Sequence, residues 1–194
     1  MSIFEQITNS IGEKGVSQIA KQLGGDNESI SKAISAALPT VLGAMGRKSG
    51  ESEGQGILQQ FLDENDDDAP EDSADYFEQG HHEKRDVMPL LQGILGGKKD
   101  RIEDGIGKAS GLDKSQVGKL MQMLAPLVIN HLSKQGKKEN REGSSLFEMI
   151  RDGGKDAETK SGSGGLMAQF FDQDNDGDFD LSDVAKIGMG FFKK

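Results

Sequence analysis

The sequence predicts an all-α fold built by tandem duplication of a small helical unit. No stretch alternates apolar and polar residues with β-branched enrichment, as a half-buried strand would. Two long segments instead place apolar residues three or four positions apart, which marks one buried face of a helix. The pattern occurs twice along the chain, with the second copy shifted by 87 residues, the separation of Gly24 from Gly111. The repeated spacing indicates two units of shared topology.

The first predicted unit covers residues 1–62 and contains a helix over residues 29–45. Asp26 is its predicted N-cap, because an Asp side chain accepts hydrogen bonds from the free amides of a first helical turn. The second unit covers residues 87–134 and contains a helix over residues 115–133. Its entry lies at Asp113 or Lys114. The apolar stripes of both helices form the predicted core, which consists of Ile34, Leu38, Val41, Leu42, Met121, Leu124, Leu127 and Val128.

The two long helices share an internal proline. Shifting the first by 87 residues places Asp26 on Asp113 and Pro39 on Pro126. A proline inside a helix removes a hydrogen bond and costs about 3 kcal/mol, so its presence at the same place in both helices favours common origin. The match resumes at residues 56–63 and 165–172, which are 109 residues apart. Residues 135–165 therefore read as an insertion in the second copy.

The two remaining interior segments have the composition of linkers. Residues 63–86 form an acidic linker, with ten acidic residues and no Lys or Arg between Asp63 and Glu83. They also resemble a decayed metal-binding loop, but Asp68 stands at the glycine position and Ala74 supplies no final ligand. A self-repelling, disordered linker is the favoured interpretation. The insertion 135–165 is rich in Lys, Glu, Gly and Ser, and we expect it to be flexible except for one short helical turn. That turn contains Leu146, Phe147 and Ile150.

Residues 172–183, within a predicted helix-loop-helix over 166–194, have the spacing of an EF-hand-type or dockerin-like calcium loop. Oxygen-bearing side chains occupy positions 1, 3, 5, 9 and 12, and Gly177 occupies position 6, where the chain must turn sharply. Calcium prefers six to eight oxygen ligands. The predicted ligands for one Ca²⁺ are Asp172, Asp174, Asp176, Asp178 through its backbone carbonyl, Asp180 and Asp183.

The loop departs from the usual pattern at two positions. Asp183 stands at position 12, where most EF-hands carry Glu, and its shorter side chain predicts a weaker site. Phe179 stands at position 8, where a branched aliphatic residue is usual. The apolar residues before and after the loop fit two flanking helix faces. The alternative interpretation is a solvated acidic turn rich in Asp, Asn and Gly.

The chain resembles the bacterial YidB-like family, a domain of unknown function (DUF937). The resemblance covers about residues 1–134 and implies an all-helical bacterial protein without an assigned activity. The segments that carry it are Leu23-Gly24-Gly25-Asp26, Ala36-Ala37-Leu38-Pro39, Ile94-Leu95-Gly96-Gly97-Lys98-Lys99, Ala109-Ser110-Gly111-Leu112-Asp113 and Leu124-Ala125-Pro126-Leu127-Val128. Members often carry an Asp-x-Asp-x-Asp-Gly stretch after the helices, similar to residues 172–177 here.

Composition narrows the possible partners and location. The net charge of −10 would repel nucleic-acid backbones, so we expect no nucleic-acid partner. The absence of cysteine excludes disulfides and thiolate metal sites. The N-terminus lacks the basic and apolar regions of a secretory signal, and no apolar run reaches 18 residues, so a cytoplasmic location is expected.

No catalytic motif stands out. His81 and His82 are interpreted as residues of a solvated linker, and His131 as a partly buried or surface residue of the second long helix. Three functional hypotheses remain. The first is a non-enzymatic helical protein that binds one calcium ion and serves as an interaction or structural module, with an unknown protein partner or self-association. The second is a membrane-surface or self-assembly protein that uses residues 187–194, an apolar run that ends in two lysines. The third is an enzyme with unrecognised catalytic carboxylates.

Overall fold

The computed structural model describes residues 1–65 and 68–160, and within these ranges it contains helices, turns and no strand. The all-α prediction is therefore confirmed for the described chain. Two short 3₁₀ turns, His81–Glu83 and Gly96–Lys98, accompany the helices. The helices are α1 Ile3–Leu23, α2 Asn27–Lys48, α3 Ser52–Asp63, α4 Ser73–Glu78, α5 Met88–Leu95, α6 Lys99–Ser110, α7 Lys114–Lys138 and α8 Ser144–Lys160.

Helices α2 and α7 begin at the predicted aspartates. Asp26 accepts a hydrogen bond from the Ser29 amide at 2.9 Å and caps α2. Asp113 accepts from the Gln116 amide at 2.9 Å, while the Gln116 side chain accepts from the Asp113 amide at 3.0 Å. This reciprocal capping box fixes the start of α7 at Asp113 rather than at Lys114. Both helices extend several residues beyond their predicted ends.

Each unit contains a helical segment, a glycine break and a second helical segment before its long helix. Gly12 interrupts α1 with φ 44° and ψ −168°, and Gly96 follows α5 with φ 56° and ψ −142°. Gly24 and Gly111 then end the second segments in the left-handed region, with φ 73° and 85°. Positive φ strains residues that carry a Cβ, so these four positions favour glycine.

The core lies around α2 and α7, which pack against each other. Helix α1 packs on α7, while α6 packs on α2, so each unit contributes to the surroundings of the other's long helix. Helix α3 packs on α5 and α7. All eight predicted core residues are buried: Ile34, Leu38, Val41, Leu42, Met121, Leu124, Leu127 and Val128.

The prediction of a disordered linker over residues 63–86 is wrong for much of its described part. Helix α4 packs on α1 and buries Tyr76 and Phe77, whose rings meet edge to face with their centroids 5.6 Å apart. Asp72 caps α4 by accepting from the amides of Ala74 and Asp75 at 2.9 and 3.1 Å. Acidic residues stabilise a helix start, and two aromatic rings supply enough apolar surface to hold the segment.

The prediction of a flexible insertion over residues 135–165 is also wrong for residues 144–160, which form α8. This helix lies along α2, and Ile150 and Ala157 are buried. The glycines that suggested a linker allow the two backbones to approach. A Cβ added to Gly154 would lie 2.8 Å from the Leu42 carbonyl oxygen and 2.9 Å from the Gly46 Cα.

Adding a methyl group at Gly154 should separate α8 from α2. We expect Gly154→Ala to lower the free energy of unfolding by about 1–3 kcal/mol, because backbone atoms on α2 leave no room for it. Gly56→Ala is the matched control on α3, where an added Cβ meets nothing within 4 Å. It should be neutral or stabilise by up to about 1 kcal/mol. Equal urea midpoints for the two variants would contradict the close helix contact.

Truncation in the central helix pair should be costly. Leu38→Ala and Leu124→Ala are each expected to lower the free energy of unfolding by about 2–4 kcal/mol, because each leaves a cavity at a buried position. Lys119→Ala on the exposed face of α7 serves as the control and should change stability by less than about 0.5 kcal/mol. Urea melts that match the parent for both leucine variants would place the core elsewhere.

Candidate functional site

The predicted calcium ligands lie outside the described residues. These are Asp172, Asp174, Asp176, Asp178, Asp180 and Asp183. The earlier acidic stretch is described except for residues 66 and 67. There, Asp72 caps α4, and the Asn65 side chain donates to the Asn130 side chain at 3.3 Å. Across residues 1–65 and 68–160, no three His, Asp or Glu side chains are grouped so that they could hold a metal ion.

A groove of about 590 Å³ lies between α1 and α2, and we call it the α1–α2 groove. Ile11, Val16 and Ile34 line it, and Ile11 and Ile34 are almost fully buried. The break at Gly12 falls at this groove, and Thr8 lies one turn before the break. The arrangement provides a recess with an apolar floor and polar walls, of a size that suits a small molecule or a few side chains of a peptide.

The rim of the α1–α2 groove is acidic. Glu13 and Glu28 line it and are exposed. Glu28 pairs with Lys32 at 2.7 Å, and this hydrogen bond raises the pKa of the lysine. Nearby, the Ser29 amide that Asp26 caps lowers the pKa of the Asp26 carboxyl, which keeps it ionised. The rim therefore disfavours anionic ligands and tolerates neutral or basic ones.

At the positions 87 residues further along the chain, an ion pair takes the place of an open groove. With the shift of 87 residues, Val16 and Ser31 of the groove correspond to Glu103 and Gly118. Glu103 is only 3% exposed, and its Oε1 lies 2.6 Å from Lys99 Nζ. A Cβ on Gly118 would come within 3.0 Å of that carboxylate, so Glu103 packs directly on α7. Sequence analysis did not identify the groove, although a glycine within an otherwise periodic helix was a usable signal.

A second cleft, of about 700 Å³, lies beside the His81–Glu83 turn and α7. His82 borders it and is 7% exposed, so the prediction of a solvated histidine is wrong at this position. Its ring meets Phe77 edge-on at 5.4 Å, and its Nδ1 has no hydrogen-bond partner within the described chain. Arg85, Asp86 and Lys119 also line the cleft. Their opposite charges do not select one class of ligand.

Burial lowers the pKa of two histidines. It lowers the pKa of His82, against a smaller opposing effect of Glu83, and the positive charge of a protonated His81 lowers it further. Burial also lowers the pKa of His131, which is partly buried, as expected; its Nδ1 lies 3.1 Å from the Leu127 carbonyl oxygen. His81 stacks on Tyr76 with ring centroids 5.6 Å apart.

Lowering the pH should destabilise the fold, because the buried His82 side chain takes up a proton less readily than it does in the unfolded chain. The unfolded side chain takes up a proton near pH 6.5, whereas the folded side chain does so only at lower pH. Between these two pKa values the unfolded state binds more protons, so stability falls as pH drops below 6.5. His82→Leu should reduce the slope of unfolding free energy between pH 6.5 and 5 by up to about 1.4 kcal/mol per pH unit.

Urea titrations at several pH values measure that slope. His131→Leu is the companion variant, because it removes the other buried histidine whose pKa is lowered. A slope unchanged by His82→Leu would show that proton uptake at this ring does not limit acid stability.

No helix within residues 1–65 and 68–160 combines the length and the apolar character that crossing a bilayer requires.

The comparisons identify the domain. Residues 5–135 match the model of the family described as "Bacterial protein of unknown function (DUF937)". This span begins in α1 and ends in α7, so it contains both glycine breaks and both capped long helices. Comparison with curated proteins and with solved structures gives no match. Because the match covers more than half of the chain, the protein belongs to the DUF937 family.

Proposed function

We propose that this protein is a non-enzymatic helical interaction module that binds one calcium ion through residues 172–183. The observation that carries the proposal is the complete 1-3-5-6-9-12 spacing of that segment, with oxygen-bearing side chains and one glycine at the required places. Asp172, Asp174, Asp176 and Asp183 would supply carboxylates. Asp178 would supply its backbone carbonyl, and Asp180 would act directly or through water.

The proposed calcium loop follows a helix that is packed firmly on the helical body. Helix α8 is held on α2 by close glycine packing and by the Arg47–Glu158 ion pair. The proposed loop begins twelve residues after the end of α8 at Lys160. The carboxylates of an empty loop repel one another, and calcium would remove that repulsion. Ion binding would then bring the apolar residues before and after the loop together.

The α1–α2 groove is the surface that supports an interaction role. It combines an apolar floor with an acidic rim, and the chain as a whole carries a charge of −10. Such a surface favours apolar or basic peptide segments over nucleic acid.

We also propose that the fold arose by duplication. Gly12 and Gly96, which lie 84 rather than 87 residues apart, have similar backbone angles, and aspartates 87 residues apart cap the two long helices. The end of α1 and the start of α7 are in contact, because the Gln116 side chain donates a hydrogen bond to the Leu23 carbonyl at 3.2 Å. Helix α3 packs on α7 and α5 as well as on α2, so the first half of the chain contributes to the surroundings of the second long helix. These features are what two related units joined in one core would produce.

Calorimetric titration with calcium tests the metal site. We expect one ion per parent chain, with modest affinity because Asp183 replaces the usual Glu. Asp172→Ala and Asp183→Ala should abolish binding. Asp178→Ala is the matched control, because the proposed ligand at that position is the backbone carbonyl and survives the substitution. Magnesium should compete poorly, since it demands a smaller, octahedral site.

Two outcomes would overturn the calcium proposal. One is the absence of heat from the parent at millimolar calcium. The other is saturation that neither Asp172→Ala nor Asp183→Ala changes.

A further inference from the structure

We propose that the α1–α2 groove is a docking site for the chain's own residues 166–171. This segment contains four apolar residues, Leu166, Met167, Phe170 and Phe171, at positions that fall on one face of a helix. The inference goes beyond the calcium site and does not depend on it.

The end of α8 is anchored beside the groove. Lys160 Nζ lies 3.0 Å from Glu5 Oε1 and 3.1 Å from Asp156 Oδ1. These two hydrogen bonds, with Glu5 the larger contributor, raise the pKa of Lys160. Glu5, Thr8 and Gly12 are spaced so that they share one face of α1. The Lys160 ammonium therefore contacts the face of α1 that continues to the groove, and Glu5 precedes Thr8 by about one helical turn, or roughly 5 Å.

The connection to the proposed occupant is short. Five residues, Ser-Gly-Ser-Gly-Gly, separate Lys160 from Leu166. At about 3.3 Å per residue they reach up to roughly 16 Å, which equals about three turns of helix and lets residue 166 reach past Thr8 if the linker is extended. Because both partners belong to one chain, docking profits from an effective concentration in the millimolar range, which a second copy at micromolar concentration does not match.

The distribution of charge determines where the docked segment ends. Residues 165–171 carry no charged side chain, so Glu13 and Glu28 on the rim do not repel them. The next nine residues, 172–180, contain five aspartates, which the acidic rim would repel. Docking therefore stops at Phe171, with the acidic loop left outside the groove.

The apolar side chains of residues 166–171 match the apolar floor of the α1–α2 groove. Ile11, Val16 and Ile34 supply apolar contacts, and a recess of about 590 Å³ can accept several of the four side chains. This is the mode in which an amphipathic helix inserts one apolar face into a groove. In the second unit Glu103 and Lys99 occupy the corresponding place, so the open groove is particular to the first unit.

Engineered cysteines test the docking, because the natural chain has none. The probe is the full chain carrying Thr8→Cys and Met167→Cys, oxidised under mild conditions with calcium removed by a chelator. Thr8 is exposed and lines the groove. The matched control carries Asn9→Cys and Met167→Cys. Asn9 is the next residue on α1 and is exposed, and it is not among the residues that line the groove.

We expect the intramolecular disulfide to form about tenfold faster in the Thr8 pair than in the Asn9 pair, which corresponds to about 1.4 kcal/mol of preference. Adding Phe170→Ser and Phe171→Ser to the Thr8 pair should reduce its rate to that of the control, because the tether is unchanged and the apolar contacts are gone. Helical circular dichroism verifies that each variant is folded.

Equal rates in the two cysteine pairs would overturn the proposal. Disulfide-linked dimers in place of the intramolecular product would also overturn it, because they would place a second copy in the groove. Since the measurement is made without calcium, failure of the calcium titration leaves this result unaffected.

Discussion

The contact between α2 and α7 is the constraint on which the rest of the structure depends. Residues 37–46 of α2 and 123–130 of α7 are all buried, and each stretch includes a proline, so this part of each helix needs neighbours on every side. Their mutual packing covers one side of each, and every other described helix packs on at least one of them. Helix α1 crosses to α7 and α6 crosses to α2. The two units therefore share one core and are expected to unfold together.

Glycine contributes to this fold in three different ways. At Gly12 and Gly96 it permits backbone angles that break a helix in two. At Gly24 and Gly111 it ends a helix and positions the aspartate that caps the next. At Gly154 it removes a side chain so that α8 can approach the backbone of α2. The break at Gly12 also lies at the α1–α2 groove, so a local backbone requirement coincides with the candidate docking surface.

Several acidic side chains of the described chain stabilise local structure. Asp26, Asp72 and Asp113 cap helices, and Glu103 is buried in an ion pair with Lys99. An excess of acid over base therefore does not by itself indicate a metal site, and within the described chain the acids are not grouped to form one. The segment 172–183 differs because its oxygens recur at fixed positions around a glycine. In the proposed arrangement, the negative charge of residues 172–183 keeps this segment out of the α1–α2 groove and attracts calcium to it.

The helical class, the two central helices, their aspartate caps and their buried stripes could all be predicted from the sequence, because they follow from periodicity and from hydrogen bonds between neighbouring residues. The sequence also predicted the calcium loop, which lies outside the described residues. Long-range packing, in contrast, makes residues 73–78 and 144–160 packed helices, buries His82 and leaves a groove between α1 and α2. Acidic and Gly-rich composition favours a linker when it is read locally. The acidic residues of such a segment act as helix caps, and its glycines permit close helix contacts, only when a distant helix supplies a surface for the segment to pack against. The local sequence does not encode where that surface lies.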